Sequence, residues 1–287
     1  MEERFSMRKM YSLQLPDRSL ELGQKTFVMG VLNVTPDSFS DGGKFLSVDR
    51  AVEHALKMVS EGADIIDIGG ESTRPGAEPV SAKEESERII PVIESIKRKV
   101  SITISVDTYK SEVAARAVKA GAEIINDISG FKFDPEMAQV AAKTEAAVCL
   151  MHTRARPKVM QQLPPSNDIW TDIETYLKDS LNTAKAAGVR NESILLDPGI
   201  GFGKTLEDNL KILAQLKRFN SFNLPILIGT SRKSFIGKIV ESDNRLMGTA
   251  ATVAVAAIFG AHIVRVHDVA EMVEVVKVVD SIAQFSY

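Results

Sequence analysis

Short apolar runs alternate with polar loops and amphipathic stretches along most of the chain. Eight such runs lie at residues 27–32, 64–69, 102–106, 123–127, 147–151, 193–197, 225–229 and 262–266. Their residues are apolar on both faces, which is typical of strands in a parallel sheet that is covered by helices on both sides.

Helical periodicity fills the intervals between these runs. In residues 48–59 apolar side chains recur at helical spacing, with Ser47 as the predicted N-cap and Gly62 just past the end. A second helix is predicted to open at the capping box Ser81–Glu84. Further helices are predicted at 111–120, 172–187, 206–216 (with Leu206, Leu210, Leu213 and Leu216 as its apolar stripe), 245–259 and 270–282, the last starting from Asp268.

This alternation predicts the α/β class and, more narrowly, a single-domain (β/α)8 TIM barrel. Residues 11–26 alternate in polarity and contain turn residues, so a short N-terminal β-hairpin should precede the barrel. We assign residues 1–26 as tail and hairpin of the same domain, and 27–287 as the barrel.

Composition narrows the class of protein further. The 287 residues carry a net charge of −3, which disfavours a nucleic-acid or membrane-surface binder because both need a basic excess. No run is long enough to span a membrane and the N-terminus has no apolar signal region, so we expect a soluble cytoplasmic protein. The single cysteine, Cys149, excludes an internal disulfide and should be a small buried hydrophobe.

Polar or charged residues end almost every predicted strand. In a barrel of this kind the active site lies at the carboxyl ends of the strands, so these residues should share one face. They are Asn33, residues 69–74, Asp107, Asn126 with Asp127, His152, Asp197, residues 230–233 and His267. Each alone could be a structural cap, but their joint placement favours an active site.

Two subsets have a clear chemical meaning. Arg265 and His267 alternate on the last strand, and with Arg74 they would form an anion site suited to a diphosphate. Asp107, Asn126, Asp197 and Lys233 could together satisfy the donors and acceptors of a heterocycle such as a pterin. Lys233 follows its strand in a polar turn that should desolvate it little, which favours a charged donor over a Schiff base.

Two glycine-bearing loops, residues 34–43 and 69–77, are rich in hydroxyl and carboxylate side chains and are predicted to close over a bound substrate. The segment GIGFGKT resembles a phosphate-binding P-loop, but three residues separate Gly199 from Gly203 where that motif needs four. The four histidines lack zinc-ligand spacing.

Seven segments, in their order along the chain, resemble those of the dihydropteroate synthase family of folate biosynthesis. They are VLNVTPDSFSDGG, GADIIDIGGESTRPGA, ISVDTYK, INDISG, LLDPGIGFGKT, GTSRKSFIG and RVHDV. The resemblance implies a transferase that joins 6-hydroxymethyl-7,8-dihydropterin diphosphate to 4-aminobenzoate. The products would be 7,8-dihydropteroate and diphosphate, with Mg²⁺ assisting.

The resemblance also implies roles for individual residues. Asp107, Asn126, Asp197 and Lys233 would hold the pterin, and Asn33, Arg74, Arg265 and His267 would bind the diphosphate, with Asn33 also at the metal. Thr73, Pro75, Phe202 and Ser234 would form the 4-aminobenzoate pocket, where sulfonamides compete in this family. The catalytic set would be Asp41, Arg74, Asp107 and Lys233.

One segment departs from the family pattern, and two other functions stay open. Ala155 and Arg156 replace a small-residue turn, so the conformation of that loop does not follow from the resemblance. The alternatives are a methyltetrahydrofolate–corrinoid methyltransferase of the same superfamily, which has no use for a diphosphate grip, and a non-catalytic pterin-binding relative. The apolar helices 249–259 and 269–279 favour a homodimer.

Overall fold

The computed structural model describes residues 8–35, 44–73 and 76–285. The predicted hairpin is present as an antiparallel pair, β1 and β2. All eight predicted core strands are present as well. The strands are β1 Tyr11–Gln14, β2 Ser19–Leu22, β3 Phe27–Asn33, β4 Ile65–Gly69, β5 Thr103–Asp107, β6 Ile124–Asp127, β7 Ala147–Met151, β8 Ile194–Asp197, β9 Leu227–Ile228 and β10 Ile263–Val266.

The eight core strands are parallel and follow the order β8-β7-β6-β5-β4-β3-β10-β9. The last gap is closed between β8 and the residues just before β9, because the amide of Leu196 donates to the carbonyl of Pro225 at 3.0 Å. Leu196 also forms a parallel bridge with Ile226. The sheet is therefore a closed barrel, and the predicted (β/α)8 fold is confirmed.

Helices cover the outside of the barrel. Their bounds are α1 Lys44–Ser60, α2 Ala82–Lys99, α3 Ser111–Ala120, α4 Met137–Thr144, α5 Ile169–Ala187, α6 Leu206–Ala214, α7 Ser234–Val240, α8 Leu246–Ile258 and α9 Val269–Ala283. The sequence did not predict α4 and α7, which are only two turns long and show no extended apolar stripe. Among the described helices, none is long and apolar enough to cross a membrane.

Several local predictions about helices were wrong. α1 begins at Lys44, so Ser47 lies inside the helix and is not its N-cap. Leu210 was placed in the buried stripe of α6 but is 43% exposed, because that helix ends at Ala214 and turns only its Ile212 and Leu213 side inward. Asp268 precedes α9 without capping it, since its carboxylate pairs with Arg232 instead.

Alternate residues of each strand face two separate cores. One set packs outward against the helices, as Ile66, Ile68 and Val106 do. The other set points into the barrel, where a bottom layer that includes Met29 and Ile65 packs against the hairpin. The hairpin contributes Leu13, Leu15 and Leu22 to this layer and so closes the amino-terminal end of the barrel. Cys149 lies in the same layer and is buried, as predicted.

Candidate active site

The predicted polar residues continue the inward-facing set toward the open end of the barrel. Asn33 pairs in register with Gly69, Gly69 with Asp107, and Asp107 with Asn126, so these four strand ends form one level. The same alternation turns Asp197 inward two residues beyond Leu195, and Arg265 two residues beyond Ile263. The structure therefore brings the predicted strand-end residues to one mouth.

A carboxylate that sequence reasoning missed organises this level from below. Asp67 lies in the middle of β4, is fully buried, and accepts hydrogen bonds from the side-chain amide of Asn126 at 3.0 Å and from Nε of Arg265 at 2.6 Å. The second donor nitrogen of Arg265, Nη2, reaches Asp107 at 2.7 Å. The sequence does mark Asp67 as unusual, because it is a charged residue inside an apolar run, two residues before Gly69. A buried charge needs partners, which points to a role for this residue.

These buried charges shift one another's proton equilibria. Burial raises the pKa of Asp107 to about 7, against the opposing effect of Arg265. For Arg265, burial acts to lower the pKa, but the carboxylates of Asp67 and Asp107 more than offset it and hold the pKa above its ordinary value. One oxygen of each carboxylate, Oδ1, is buried without a hydrogen bond from any described residue. Because Asp107 ends its strand at the mouth, its Oδ1 is placed to accept a hydrogen bond from a ligand.

Lys233 and Asp197 approach the same mouth from the other side of the barrel. Lys233 is the residue before α7, and its ammonium donates to the carbonyl of Ile200 and lies 4.9 Å from the ring centre of Phe202. The prediction that its turn leaves it well hydrated was wrong, because burial lowers the pKa of Lys233 to about 8, against the opposing effect of Asp197. Burial raises the pKa of Asp197, and the Lys233 charge opposes this shift.

Side chains form hydrogen bonds with the backbone of the loop that follows β8 and so hold its shape. The amide of Gly199 donates to Asp197 at 2.7 Å, and that of Gly201 to Asn209 at 2.7 Å. Lys204 is buried and donates to backbone carbonyls. These two amides and this lysine are the groups that a P-loop would offer to phosphate, and here they are already bonded within the protein.

The remaining predicted site residues lie around the rim or outside the described residues. His267 follows β10, and its Nδ1 lies 3.0 Å from the hydroxyl of Ser231. Thr73 and Phe202 are half-buried, and Ser234 is exposed at the start of α7. Asp41, Arg74, Pro75 and most of the predicted closing loop, residues 36–43, fall outside the described residues.

The flank of the loop that contains Arg74 is anchored by a buried ion cluster. Glu71 accepts from Lys110 at 2.6 Å, from the Tyr109 hydroxyl at 2.5 Å and from the amide of Val80 at 2.8 Å. Lys110 also pairs with Glu85 of α2. The two flanks of the loop, at Glu71 and Val80, are thereby tied to each other, to the connection between β5 and α3, and to α2.

The loop that departs from the family pattern also packs against this side of the site. The Arg156 guanidinium lies 4.3 Å from the ring centre of Phe133 and donates to the Phe133 carbonyl at 3.1 Å. The hydroxyl of Thr153 donates to the carbonyl of Ala155, two residues further along the loop, at 2.8 Å. The added arginine therefore covers aromatic side chains instead of entering the barrel mouth.

Comparisons with known proteins identify the family to which the chain belongs. The family described as "Pterin binding enzyme" matches residues 29–267. A dihydropteroate synthase of Bacillus subtilis is 51% identical over 265 residues, covering 92% of this chain and 90% of that protein.

Solved structures give the same result. The dihydropteroate synthase of Clostridium difficile, determined in the presence of pteroic acid, has a TM-score of 0.87 at 45% identity and covers 93% of this chain and 100% of that one. The Xanthomonas albilineans dihydropteroate synthase with 4-aminobenzoic acid has a TM-score of 0.89 at 40% identity, covering 96% and 98%. The chain belongs to the pterin-binding enzymes and, within them, to the dihydropteroate synthase family of transferases in folate synthesis.

Proposed function

We propose that the protein condenses 6-hydroxymethyl-7,8-dihydropterin diphosphate with 4-aminobenzoate to give 7,8-dihydropteroate and diphosphate. The observation that carries the proposal is the ring of buried polar groups at the barrel mouth, with Asp107, Asn126 and Asp197 on strand ends and Lys233 beside them. Carboxylate oxygens, an amide and an ammonium suit the donor and acceptor edge of a pterin.

The pterin would lie across this level with its N–H groups toward carboxylate oxygens. Asp197 keeps one oxygen bonded to Gly199, which leaves the other to accept from the ring. Asn126 has its amide nitrogen committed to Asp67, so its carbonyl oxygen is the group that it presents to a ligand. Lys233 would donate to a ring acceptor from the side where its ammonium lies.

The reaction needs no covalent protein nucleophile. The amine nitrogen of 4-aminobenzoate forms a bond to the methylene carbon of the pterin as the bond from that carbon to the diphosphate oxygen breaks, and the amine loses a proton to solvent. Positive charge that develops on the pterin during this step is stabilised by the nearby carboxylates of Asp107 and Asp197. Positioning and electrostatics then account for catalysis.

The diphosphate would lie between the β3 and β10 ends of the mouth, with Asn33, Arg74, Arg265 and His267 as its binding residues. Arg265 has Nε and Nη2 committed to carboxylates, so Nη1 is the donor that it would offer. Arg74 would supply the charge that Arg265 shares with Asp67 and Asp107. Arg74 and Asp41, the proposed catalytic residues of the two loops, would act once these loops have closed over the diphosphate.

Mg²⁺ fits this end of the site as a companion of the diphosphate. Asn33 offers a half-buried amide oxygen at the end of β3, and oxygen is the donor that Mg²⁺ prefers. One neutral protein oxygen does not form a cage by itself, which suits an ion that keeps several waters and is bound mainly through substrate phosphates. When bound, the ion would neutralise charge on the leaving diphosphate.

The 4-aminobenzoate pocket would lie outside the pterin level, lined by Thr73, Pro75, Phe202 and Ser234. Phe202 supports this placement because its ring lies beside the Lys233 ammonium, at the border between the proposed pterin site and the rim. A sulfonamide should compete for the same pocket. The Yersinia pestis dihydropteroate synthase, solved with a sulfonamide drug, is 44% identical to this chain with a TM-score of 0.89.

The decisive experiment measures diphosphate release by the purified protein with the pterin diphosphate, Mg²⁺ and 4-aminobenzoate. We expect release that depends on 4-aminobenzoate and stops when it is omitted. A protein that binds methyltetrahydrofolate and releases no diphosphate would instead support the methyltransferase. Pterin binding without either reaction would support a non-catalytic relative.

We further propose that the protein is a cytoplasmic homodimer that pairs through α8 and α9. The support is the presence of exposed apolar side chains on these helices: Met247 is 77%, Val278 60% and Ile282 64% exposed. Val278 and Ile282 are one turn apart on α9, and adjoining exposed apolar side chains are typical of a surface that another protein chain covers. The buried, unpaired Cys149 suits a reducing compartment.

A further inference from the structure

We infer that Lys204 is a positioning residue that holds the loop 199–203, and with it Phe202, in the shape that receives 4-aminobenzoate. The inference rests on the proposed function for its ligand, but its geometry is independent of that function. Lys204 lies outside the pterin level and does not touch the reacting atoms.

The ammonium of Lys204 lies in a cage of backbone oxygens. It donates to the carbonyls of Gly199 at 2.8 Å, Phe202 at 3.2 Å and His152 at 3.3 Å. Lys204 is only 6% exposed, and every hydrogen bond that the described structure gives its ammonium goes to a carbonyl. Burial lowers the pKa of Lys204 well below its ordinary value, against the opposing effect of Asp197.

Keeping an ammonium at such a place costs free energy that an apolar side chain of similar length would not. The compensating gain is that three buried carbonyl oxygens have a donor. Two of these oxygens belong to one tight turn, in which the amide of Phe202 donates to the carbonyl of Gly199 at 3.1 Å. The third belongs to His152 at the end of β7, so Lys204 ties this turn to a neighbouring strand of the barrel.

Three glycines give the loop a backbone shape that other residues rarely adopt. Gly199, Gly201 and Gly203 have φ values of +68°, +84° and +65°, so every second residue is left-handed. Around them, Gln161 binds the carbonyl of Gly201 at 2.9 Å, and Arg154 binds that of Gly203 at 3.1 Å. Those two contacts come from half-exposed or exposed side chains, whereas the Lys204 cage is buried.

Phe202 is the residue through which the cage reaches the substrate pocket. Its carbonyl accepts from Lys204, while its ring lies 4.9 Å from the ammonium of a second lysine, Lys233. The carbonyl of Ile200 accepts from Lys233. The loop is thus clamped between two ammonium groups, and loss of the Lys204 clamp should displace the Phe202 ring while leaving the strand-end pterin residues in place.

The first test compares Lys204→Met with Lys211→Met, a matched control on α6 whose lysine is 52% exposed and pairs with Glu207. For Lys204→Met we expect KM for 4-aminobenzoate to rise about tenfold while Kd for the pterin, by calorimetry, changes less than about twofold. Lys211→Met should match the wild type in both. Equal losses of pterin and 4-aminobenzoate affinity in Lys204→Met would overturn the assignment, because they would report a general loss of structure.

The second test fills the cage from solution. Lys204→Ala leaves the carbonyl oxygens facing a gap, and methylammonium should lower the raised KM for 4-aminobenzoate toward the wild-type value. Tetramethylammonium at the same ionic strength cannot donate hydrogen bonds, so it should leave the raised KM for 4-aminobenzoate unchanged. If both salts act alike, the carbonyl cage is not the cause. Should Lys204→Met fail to fold, Lys204→Ala purified in methylammonium takes its place in the first test.

A readout without substrate separates this inference from the proposed function. Hydrogen exchange of the peptide that covers residues 198–205 should speed up in Lys204→Met, stay unchanged in Lys211→Met, and slow again when methylammonium is added to Lys204→Ala. If the wild type releases no diphosphate but exchange responds in this way, the proposed function fails and the clamp stands. Unchanged exchange in Lys204→Met would overturn the clamp even in an active enzyme.

Discussion

The buried carboxylate of Asp67 on β4 accepts a hydrogen bond from the side-chain amide of Asn126 on β6 at 3.0 Å, past the intervening strand β5. This bond fixes which end of the Asn126 amide points toward the mouth. The same carboxylate also bonds Arg265, so one residue below the proposed pterin level orients two residues within it.

Asp67→Asn should therefore weaken pterin binding. One oxygen, Oδ2, accepts from both Asn126 and Arg265, so an amide oxygen in its place could keep both contacts. The variant would still lose the negative charge that pairs with the buried Arg265 guanidinium. We expect Kd for the pterin to rise about tenfold to a hundredfold, as for the loss of a charge-assisted hydrogen bond. Calorimetric titration with the pterin gives the value.

The matched control is Asp64→Asn, the same change just before β4, where Asp64 binds the amide of Val28 at 2.9 Å near the hairpin-covered end. It should lower thermal stability and leave pterin affinity intact. If both variants bind the pterin like the wild type, Asp67 has no orienting role.

Asp197→Asn should remove an acceptor from the pterin while keeping the size of the side chain. Its Oδ1 can still accept from Gly199, so the loop should survive. We expect Kd for the pterin to rise about a hundredfold, because a buried N–H of the ring loses its charged partner. Asp208→Asn, which keeps the N-terminal cap of α6, is the control and should bind the pterin normally. Unchanged affinity in Asp197→Asn would contradict the pterin assignment.

Asp107 should make folding stability depend on pH. Its pKa is raised to about 7 in the folded protein and is about 3.9 when unfolded, so the folded state holds a proton that the unfolded state has already released. The free energy of unfolding should therefore fall as pH rises from about 4 to about 7. Asp107→Asn should remove this component.

Urea unfolding of both proteins across this range checks the sign. The free energy of unfolding of the wild type, relative to that of Asp107→Asn, should decline toward neutral pH and then level off. A difference that grows with pH would mean that Arg265 dominates and that the pKa of Asp107 is lowered.

Gly199 and Gly188 form a matched pair that separates steric clash from backbone strain. Both have positive φ, +68° and +89°. A Cβ on Gly199 would lie 1.9 Å from the His152 carbonyl oxygen, whereas one on Gly188 would meet nothing within 4 Å. Gly188→Ala should cost about 1 kcal/mol of the free energy of unfolding, the left-handed strain alone. Gly199→Ala should cost several times more, and similar values for both would refute the clash.

A charge on the exposed face of α9 should dissociate the proposed dimer. Val278→Glu and Ile282→Glu would each place a carboxylate in the surface that α8 and α9 present, where burial would leave it unpaired. Sedimentation velocity should show a dimer for the wild type and a monomer for the double variant. Lys143→Glu, on α4 at another part of the barrel, should stay dimeric. A monomeric wild type would end the proposal.

The sequence predicted the barrel well because its strands are short apolar runs with no competing pattern. β7 was predicted with both of its ends correct, and α3 likewise. α7 escaped prediction because Ser234–Val240 is too short to repeat a stripe and contains Gly237. That miss also led to the wrong expectation about hydration of Lys233, since a lysine before a helix packs differently from one in an open turn.

Within the site, sequence alone identified the residues at strand ends but not those one layer deeper. Asp107, Asn126 and Asp197 follow from their positions beside loops. Asp67 was overlooked because it sits inside an apolar run, where its partners come from strands that are distant in sequence. In the sequence, Lys204 stands out only as part of a segment that resembles a P-loop, because nothing local indicates that its ammonium contacts the carbonyl of His152.

The hairpin that closes the amino-terminal end of the barrel affects the order in which two substrates can bind. With Leu13, Leu15 and Leu22 filling that end, a ligand has to reach the strand-end residues from the carboxyl ends of the strands. The proposed pterin groups lie deep in the barrel and are nearly inaccessible, whereas Ser234 and Phe202 stand nearer its rim. If the pterin binds at the strand ends and 4-aminobenzoate nearer the rim, as proposed, we expect ordered binding in which the pterin diphosphate binds first. Bound 4-aminobenzoate would block the path by which the pterin reaches the strand ends.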